Sequence, residues 1–359
     1  VSATLWYNSG FSDLYHSVRL LREASNGQIR VLASHIDPAA PILQVADVAL
    51  LEPPRATAAD AYVRWALRVC ARRRVALFVP SRHALAIAAA RDVFARQGVR
   101  VHVPTPEVLR LVEHKDALYR DLERTGVALP TYRVVRSLAE FDAGYAQLRE
   151  HFKRLCIKPT VGIFGSGFRI LDEEIDEYDA LTRIDSAVAS LRGYREMLVR
   201  AKRPFELMLM QYLDGKERSV DCLAVAGRLI VAVARRKEGR YQELETAGAA
   251  IDAAAVLAHR YGLEGIFNVQ FRDAERVACL LEINPRPAGG LLFSCASGCN
   301  LPYWSAALAL GLNQEEAMPR PRHGIRVIPV QDALVMARGV ETFVQEPDAE
   351  DDGCPLPSD

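Results

Sequence analysis

Over the first hundred or so residues short apolar runs alternate with amphipathic stretches, and this alternation restricts the possible folds more than any other feature of the chain. Residues 5–7, 29–34, 75–80 and 99–103 read as strands, while residues 14–23, 59–72 and 84–97 carry helical periodicity. Strand and helix in turn imply a parallel sheet covered on both faces, because parallel neighbours need a crossover and a helix supplies it. The loop after the first strand, Asn8-Ser9-Gly10, has one glycine and no Gly-x-Gly-x-x-Gly. A dinucleotide fingerprint is therefore absent and hydride chemistry loses its main support. The carboxyl ends of these strands remain a place for a substrate.

At 359 residues the chain is longer than one hydrophobic core usually serves, so two or three packed units are expected. Its 45 basic side chains balance 45 acidic ones. No whole-molecule field favours nucleic acid or an anionic membrane, and any anion site must be local. No apolar run approaches the roughly 18 to 20 residues that span a bilayer, and Val1-Ser2-Ala3-Thr4 lacks the character of a signal peptide. The expected location is cytoplasmic. The seven cysteines are scattered without Cys-x-x-Cys spacing, which favours reduced thiols over a disulfide framework or a zinc site.

From His114 the pattern changes. A helix is expected over 115–124, a turn near Gly126 and Pro130, a strand over 132–135, a helix over 138–151 and a strand over 155–159, followed by a glycine-rich loop. Charged residues dominate 172–203, which reads as connecting helices. Apolar runs at 205–212, 219–225, 229–234, 266–271 and 277–284, several of them alternating, predict a mostly antiparallel sheet. The acidic, proline-bearing end, 346–359, reads as disordered.

Two segments carry chemistry. In Cys279-Leu280-Leu281-Glu282-Ile283-Asn284-Pro285-Arg286-Pro287-Ala288-Gly289-Gly290, strand alternation puts Glu282, Asn284 and, if the chain stays extended, Arg286 on one face, with Leu281 and Ile283 toward the core. Hard oxygens beside a permanent cation suit Mg²⁺ carrying phosphates, since that ion keeps waters and phosphate oxygens and asks few ligands of a protein. The plain alternative is a strand ending in a polar turn. In the second segment Lys158 ends an apolar strand and precedes Pro159-Thr160-Val161-Gly162-Ile163-Phe164-Gly165-Ser166-Gly167. Such a lysine reaches phosphate as a point charge, and glycines let backbone N–H groups turn to an anion. The order is not that of a Walker loop, and alone it is equally a hairpin. Arg235, Arg236 and Lys237 follow an apolar run as a basic cluster; such clusters usually face solvent, but Arg235 or Arg236 is placed to touch a transferred phosphoryl group if the sheet faces the phosphates.

Together these pieces resemble the ATP-grasp superfamily over about residues 113–310. The resemblance implies that Lys115, in Glu113-His114-Lys115-Asp116, and Lys158 bind nucleotide phosphates, with Gly162, Gly165, Ser166 and Gly167 in a flexible lid. Met210-Gln211-Tyr212-Leu213 is similar to the hinge that contacts adenine, and Glu217 to the group that holds the ribose hydroxyls. Metal binding is implied for Glu282 and Asn284, with Gln270 as a further ligand; a neutral Gln there resembles the carbamoyl-phosphate-synthetase branch. Arg286 and the backbone of Gly289 and Gly290 would hold the reacting oxyanion. The fold expected is α/β and α+β: an N-terminal parallel α/β (pre-ATP-grasp) domain over 1–112, then the two-lobed ATP-grasp fold, with a small lobe over 113–203 and a C-terminal lobe bearing an antiparallel sheet over 204–345, and the acidic tail over 346–359.

The activity implied is ATP-dependent ligation: a small-molecule carboxylate is phosphorylated to an acyl phosphate and coupled to an amine, releasing ADP and phosphate, with ATP and Mg²⁺ (or Mn²⁺) as cofactors. The Glu-x-Asn-Pro-Arg-x-x-Gly-Gly ending is of the type seen in amino-acid ligases. Bicarbonate activation and a non-catalytic nucleotide-binding role are the alternatives. No nucleic-acid or membrane partner is expected, and homodimers are common among such proteins.

Overall fold

The computed structural model describes residues 2–11, 13–162, 165–183, 187–275, 277–330 and 333–336. The expected tail over 346–359 and the apolar lid residues Ile163 and Phe164 lie outside them. Two compact units emerge, one built on residues 1–102 with 306–312, the other on residues 103–305 with 313–330.

In the first unit, β1 (Ala3–Tyr7), β2 (Ile29–His35), β3 (Val48–Leu51), β4 (Val75–Val79) and β5 (Arg100–Val101) form a sheet in the order β3-β2-β1-β4-β5, with every pairing parallel. Alternate side chains of β1 serve the two faces. Leu5 and Tyr7 pack with Val18, Leu21 and Leu43, while Trp6 stacks on Phe78 at 4.0 Å and meets Trp65 edge-on at 5.6 Å. The short β3 was hidden from sequence patterning by its four-residue length, and the helix expected over 84–97 is two, Ala84–Ala89 and Arg91–Arg96. At the carboxyl ends of the strands the buried Glu52 accepts from Ser9 N at 2.5 Å, Ser34 Oγ at 2.7 Å and Arg82 Nη1 at 3.0 Å. That ion pair ties three loops together.

The second unit holds two sheets. β6 (Tyr132–Val135), β7 (Leu155–Pro159), β8 (Arg169–Asp172), β9 (Val188–Ser190) and β10 (Leu207–Gln211) lie in the order β6-β10-β7-β8-β9, antiparallel except for β8 with β9. The charged stretch 172–203 is thus not helical throughout: β9 separates the helices Glu177–Thr182 and Leu191–Val199. Helices Leu138–Arg149 and Leu191–Val199 cover this sheet through Phe141, Leu148 and Leu198.

The larger sheet comprises β11 (Glu217–Val225), β12 (Arg228–Glu238), β13 (Tyr241–Glu245), β14 (Gly265–Ala274), β15 (Val277–Asn284) and β16 (Ile325–Val327), in the order β15-β14-β11-β12-β13-β16 and antiparallel throughout. Helix Ala249–Arg260 lies across it on Ala250, Ala254, Leu257 and Ala258, the i, i+4, i+7, i+8 stripe whose small members let helix and sheet approach closely. Val220, Cys222, Phe267, Val269, Phe271, Leu280 and Ile283 supply the other side of this core. No helix among the described residues is long and apolar enough to cross a membrane. Because Phe267 is 1% exposed, Phe267→Ala is expected to lower unfolding free energy by about 3 to 5 kcal/mol, read by urea denaturation; a loss below about 1 kcal/mol would mean this core is not packed as described.

Candidate functional site

A cleft of about 420 Å³ runs within the second unit, lined from β7, β10, β11, β12, β14, β15 and the segment that follows β15. Its floor is the β14–β15 ladder, where Asn268 pairs with Asn284 and Gln270 with Glu282. Directly paired residues share a face with Cβ atoms roughly 5 Å apart, so four oxygen-bearing side chains stand together. The ladder slips one register between Gln270 and Phe271. That bulge corrects the expected orientation of Leu281: Leu280 takes the core position beside Ile283, and Leu281 lines the cleft instead.

The bulge is tied down from the helix Lys115–Leu122. Tyr119, fully buried, donates through its hydroxyl to Leu280 O at 2.8 Å and Leu281 O at 3.2 Å. Lys158 Nζ reaches the same Leu281 carbonyl at 3.3 Å and lies 5.4 Å from the centre of the Tyr119 ring. From the first turn of that helix, Lys115 Nζ donates to Gly162 O at 2.6 Å and stands 3.6 Å from Glu282 Oε2. Both lysines expected at the site therefore meet over the carboxylate.

Gly162, Gly165 and Ser166 line the cleft beside Lys158, and β7 and β8 form the hairpin that carries them. Gly167 is outside the lining and has another task. Its φ is +76°, and a Cβ there would stand 2.8 Å from the ring carbons of Pro159, so only glycine brings the loop back onto β7. Along the opposite wall lie Met210, Gln211, Tyr212 and Leu213. Arg154 and Arg272 sit against the Tyr212 ring, 4.3 and 5.2 Å from its centre, which braces the turn out of β10. Glu217, at the start of β11, pairs with Lys237 Nζ at 2.5 Å.

The basic cluster divides by strand alternation. Lys237, on β12 in register with Gln242, lines the cleft. Arg236 does not: it sits on the opposite face, held by Glu238, Glu243 at 3.1 Å and Glu245 at 2.6 Å. Arg235 shares the cleft side of the sheet but is 4% exposed and outside the lining, donating to Asp221 Oδ2 at 2.8 Å, Ser219 Oγ at 2.8 Å and Gln242 Oε1 at 2.9 Å. Each nitrogen of both guanidinium groups donates to an acceptor of the protein, and neither arginine is part of the cleft lining. Lys237, not singled out beforehand, is the member that lines the cleft; strand alternation from Arg235, which the structure pairs with Ser219, puts it on that side.

Arg286 and Gly289 line the cleft although the strand ends at Asn284, because the chain turns, with Arg286 N donating to Asn284 O at 2.8 Å. Gly290 lies outside the lining, and a Cβ there would fall within the guanidinium of Arg235. Its lack of a side chain is what lets the turn close over that buried arginine.

The donor set decides which ion these residues suit. Glu282 is the one carboxylate at the centre, its Oε1 accepting from Asn284 Nδ2 at 3.0 Å, and Gln270 and Asn284 add neutral amides. No cluster of three or more His, Cys, Asp and Glu side chains fit for a metal occurs among the described residues. Such a set fits a hard divalent ion that arrives with phosphate oxygens and water, and does not fit zinc or another thiophilic metal. Burial, and then the neighbouring Lys115, lower the Lys158 ammonium to about 8, with Glu282 opposing. A polyanion in the cleft favours the charged form. Binding of a polyphosphate anion is therefore expected to be independent of this group's titration below about 8 and to weaken as pH rises above it, with proton uptake on binding; calorimetry with tripolyphosphate in two buffers of different ionisation enthalpy measures that uptake, and its absence at pH 8.5 would remove Lys158 from the anion site.

Residues 203–333 match the family described as ATP-grasp in the biosynthetic pathway with Ter operon. The arginine-specific carbamoyl phosphate synthase large chain of Geobacillus stearothermophilus is 23% identical over 248 residues, covering 65% of this chain and 22% of that protein. The chain thus spans less than a quarter of the curated relative it matches. Among solved structures, N5-carboxyaminoimidazole ribonucleotide synthetase in complex with ADP superposes with a TM-score of 0.63 at 15% identity, over 90% of this chain and 80% of that one. The L-amino acid ligase of Bacillus licheniformis gives 0.58 at 12% identity, over 89% and 78%.

Proposed function

We propose that the chain is an ATP-grasp enzyme, as the match of residues 203–333 to an ATP-grasp family supports, and that it is an ATP-dependent ligase that activates a small-molecule carboxylate as an acyl phosphate and joins it to an amine. The observation that carries this reading is the single cleft in which Lys115 and Lys158 stand over Glu282, beside Gln270 and Asn284. Two ammonium groups and one carboxylate with amides are what a triphosphate and its magnesium require together.

In this reading the adenine lies along Met210 to Leu213, where backbone groups read the base, and Glu217 accepts from the ribose hydroxyls once Lys237 releases it. Lys115 and Lys158 neutralise phosphate charge. Glu282, Asn284 and Gln270 hold Mg²⁺, or Mn²⁺ in its place, which supplies Lewis acidity toward the phosphate oxygens. Arg286 sits where negative charge builds up on the transferred group. Phosphoryl transfer asks the protein mainly for positioning and charge neutralisation, and phosphate, unlike hydroxide, is a good leaving group when an amine attacks. Arg286 and the Gly289 backbone then face the oxyanion, where one preorganised donor is worth about 3 to 4 kcal/mol. The loop of Gly162, Gly165 and Ser166 shields the acyl phosphate from water.

The test is phosphate release from ATP with magnesium, screened against carboxylates with and without amines. Release that needs both partners supports ligation; release with bicarbonate alone moves the reading to a carboxylase-type activation; tight ATP binding with no turnover moves it to a binding protein. In the active combination, Lys158→Ala and Glu282→Ala are each expected to lower the rate at least a hundredfold while thermal unfolding stays within a few degrees. Full activity in a folded Glu282→Ala protein would refute the assignment of the ion to that carboxylate.

A further inference from the structure

We infer that Asp221 is a positioning residue that locks the amide of Asn268 so that its Oδ1 serves as a further oxygen donor for the divalent cation of the cleft, an inference that rests on the ligase reading above. Asn268 stands directly across the ladder from Asn284 and two residues along β14 from Gln270, whose own partner is Glu282. It is 0% exposed yet lines the cleft. Its Nδ2 is committed to the protein, donating to Asp221 Oδ1 at 2.8 Å, Ser219 Oγ at 2.9 Å and Val220 O at 3.1 Å.

The orientation follows from chemistry rather than from packing alone. A carboxylate and a backbone carbonyl accept hydrogen bonds and do not donate them, so turning the amide over would set oxygen against oxygen at both Asp221 and Val220. With the nitrogen fixed on that side, Asn268 Oδ1 is left buried and without a hydrogen-bond partner. Buried acceptors without partners are uncommon in folded proteins. This one lies on the same face as Gln270, Glu282 and Asn284, where hard oxygens already gather, and a divalent cation is the ligand that such an acceptor suits.

Asp221 is held in turn. Its Oδ2 accepts from Arg235 Nε at 2.8 Å and from Ser294 Oγ at 2.6 Å, and Arg235 is anchored on Ser219 and Gln242 beneath Gly290. Side chains that orient metal ligands from behind typically change affinity ten- to a hundredfold when altered. Arg235 thereby acquires a place in the site, through Asp221 and not through contact with substrate.

The probe is Mn²⁺, counted by the electron paramagnetic resonance of the free ion in ADP-saturated protein, with metal-free ADP affinity measured separately. N268L keeps the size of the side chain and the Arg235–Asp221 pair while removing the amide; it and D221N are expected to weaken Mn²⁺ binding about tenfold and to leave metal-free ADP affinity within about twofold. E282Q serves as the reference for the reading itself. Unchanged Mn²⁺ affinity in folded N268L, beside E282Q that has lost it, overturns this inference and leaves the ligase reading standing; unchanged affinity in both overturns both. A D221N protein that loses thermal stability but keeps Mn²⁺ affinity overturns the positioning role. Should D221N not fold, S294A removes one donor to the same carboxylate and keeps the ion pair, with a loss of about threefold expected and no loss overturning that role.

Discussion

Everything in the candidate site depends on one slipped pair of strands. The ladder between β14 and β15 brings Gln270 opposite Glu282 and Asn268 opposite Asn284, and its bulge turns the Leu281 carbonyl toward Lys158 and Tyr119. A regular ladder would have sent Leu280 and Leu281 to the faces opposite those they occupy. Core and cleft are therefore joined at this irregularity: the same extra residue that aims a carbonyl at the lysine seats Leu280 against Phe271.

Charge in the cleft is arranged by proximity instead of by excess. The chain has no net charge, yet burial and the nearby Lys115 disfavour the ammonium of Lys158, and Glu282 relieves only part of that strain. Two lysines drawn together in a partly buried cleft form a place that an anion improves. The neutral Gln270 and Asn284 keep the floor from cancelling that preference. At the strand ends of the first unit, by contrast, the buried Glu52 is already paired with Arg82.

Much of this was legible from residues alone. Long apolar runs located every strand of the central part of the larger sheet, and the strand Leu155–Pro159 falls where its pattern placed it. Short elements were missed, β3, β9, β13 and β16 among them, because three to five residues carry too little periodicity to register. Lys158, Glu282 and Asn284 could be singled out from their own segments, and the family resemblance added Lys115, Glu217 and Gln270; all six line the cleft. The supporting residues could not. Tyr119, Asp221 and Asn268 act through partners 161, 14 and 47 residues or so away in the chain, and nothing local to their neighbourhoods distinguishes them from ordinary buried side chains. Between Arg235 and Arg236 the sequence left the choice open, since adjacent arginines on a strand part, one to each face, and the register that says which is which is not local.

That parting has a consequence for how the molecule can change. In β11, β12 and β14 the neighbours Glu217 and Arg218, Lys237 and Arg236, and Arg272 and Asp273 divide between the cleft and an ion cluster beneath it, where Arg218 joins Glu245 and Asp273, and Arg236 joins Glu238, Glu243 and Glu245. Gain or loss of one residue in such a strand exchanges the two rows wholesale, sending the underside's guanidinium groups into the cleft and the cleft's lysine into a clamp of carboxylates. Drift in these strands is thus confined to replacement at constant length, and new specificity has to be written into the loops at their ends.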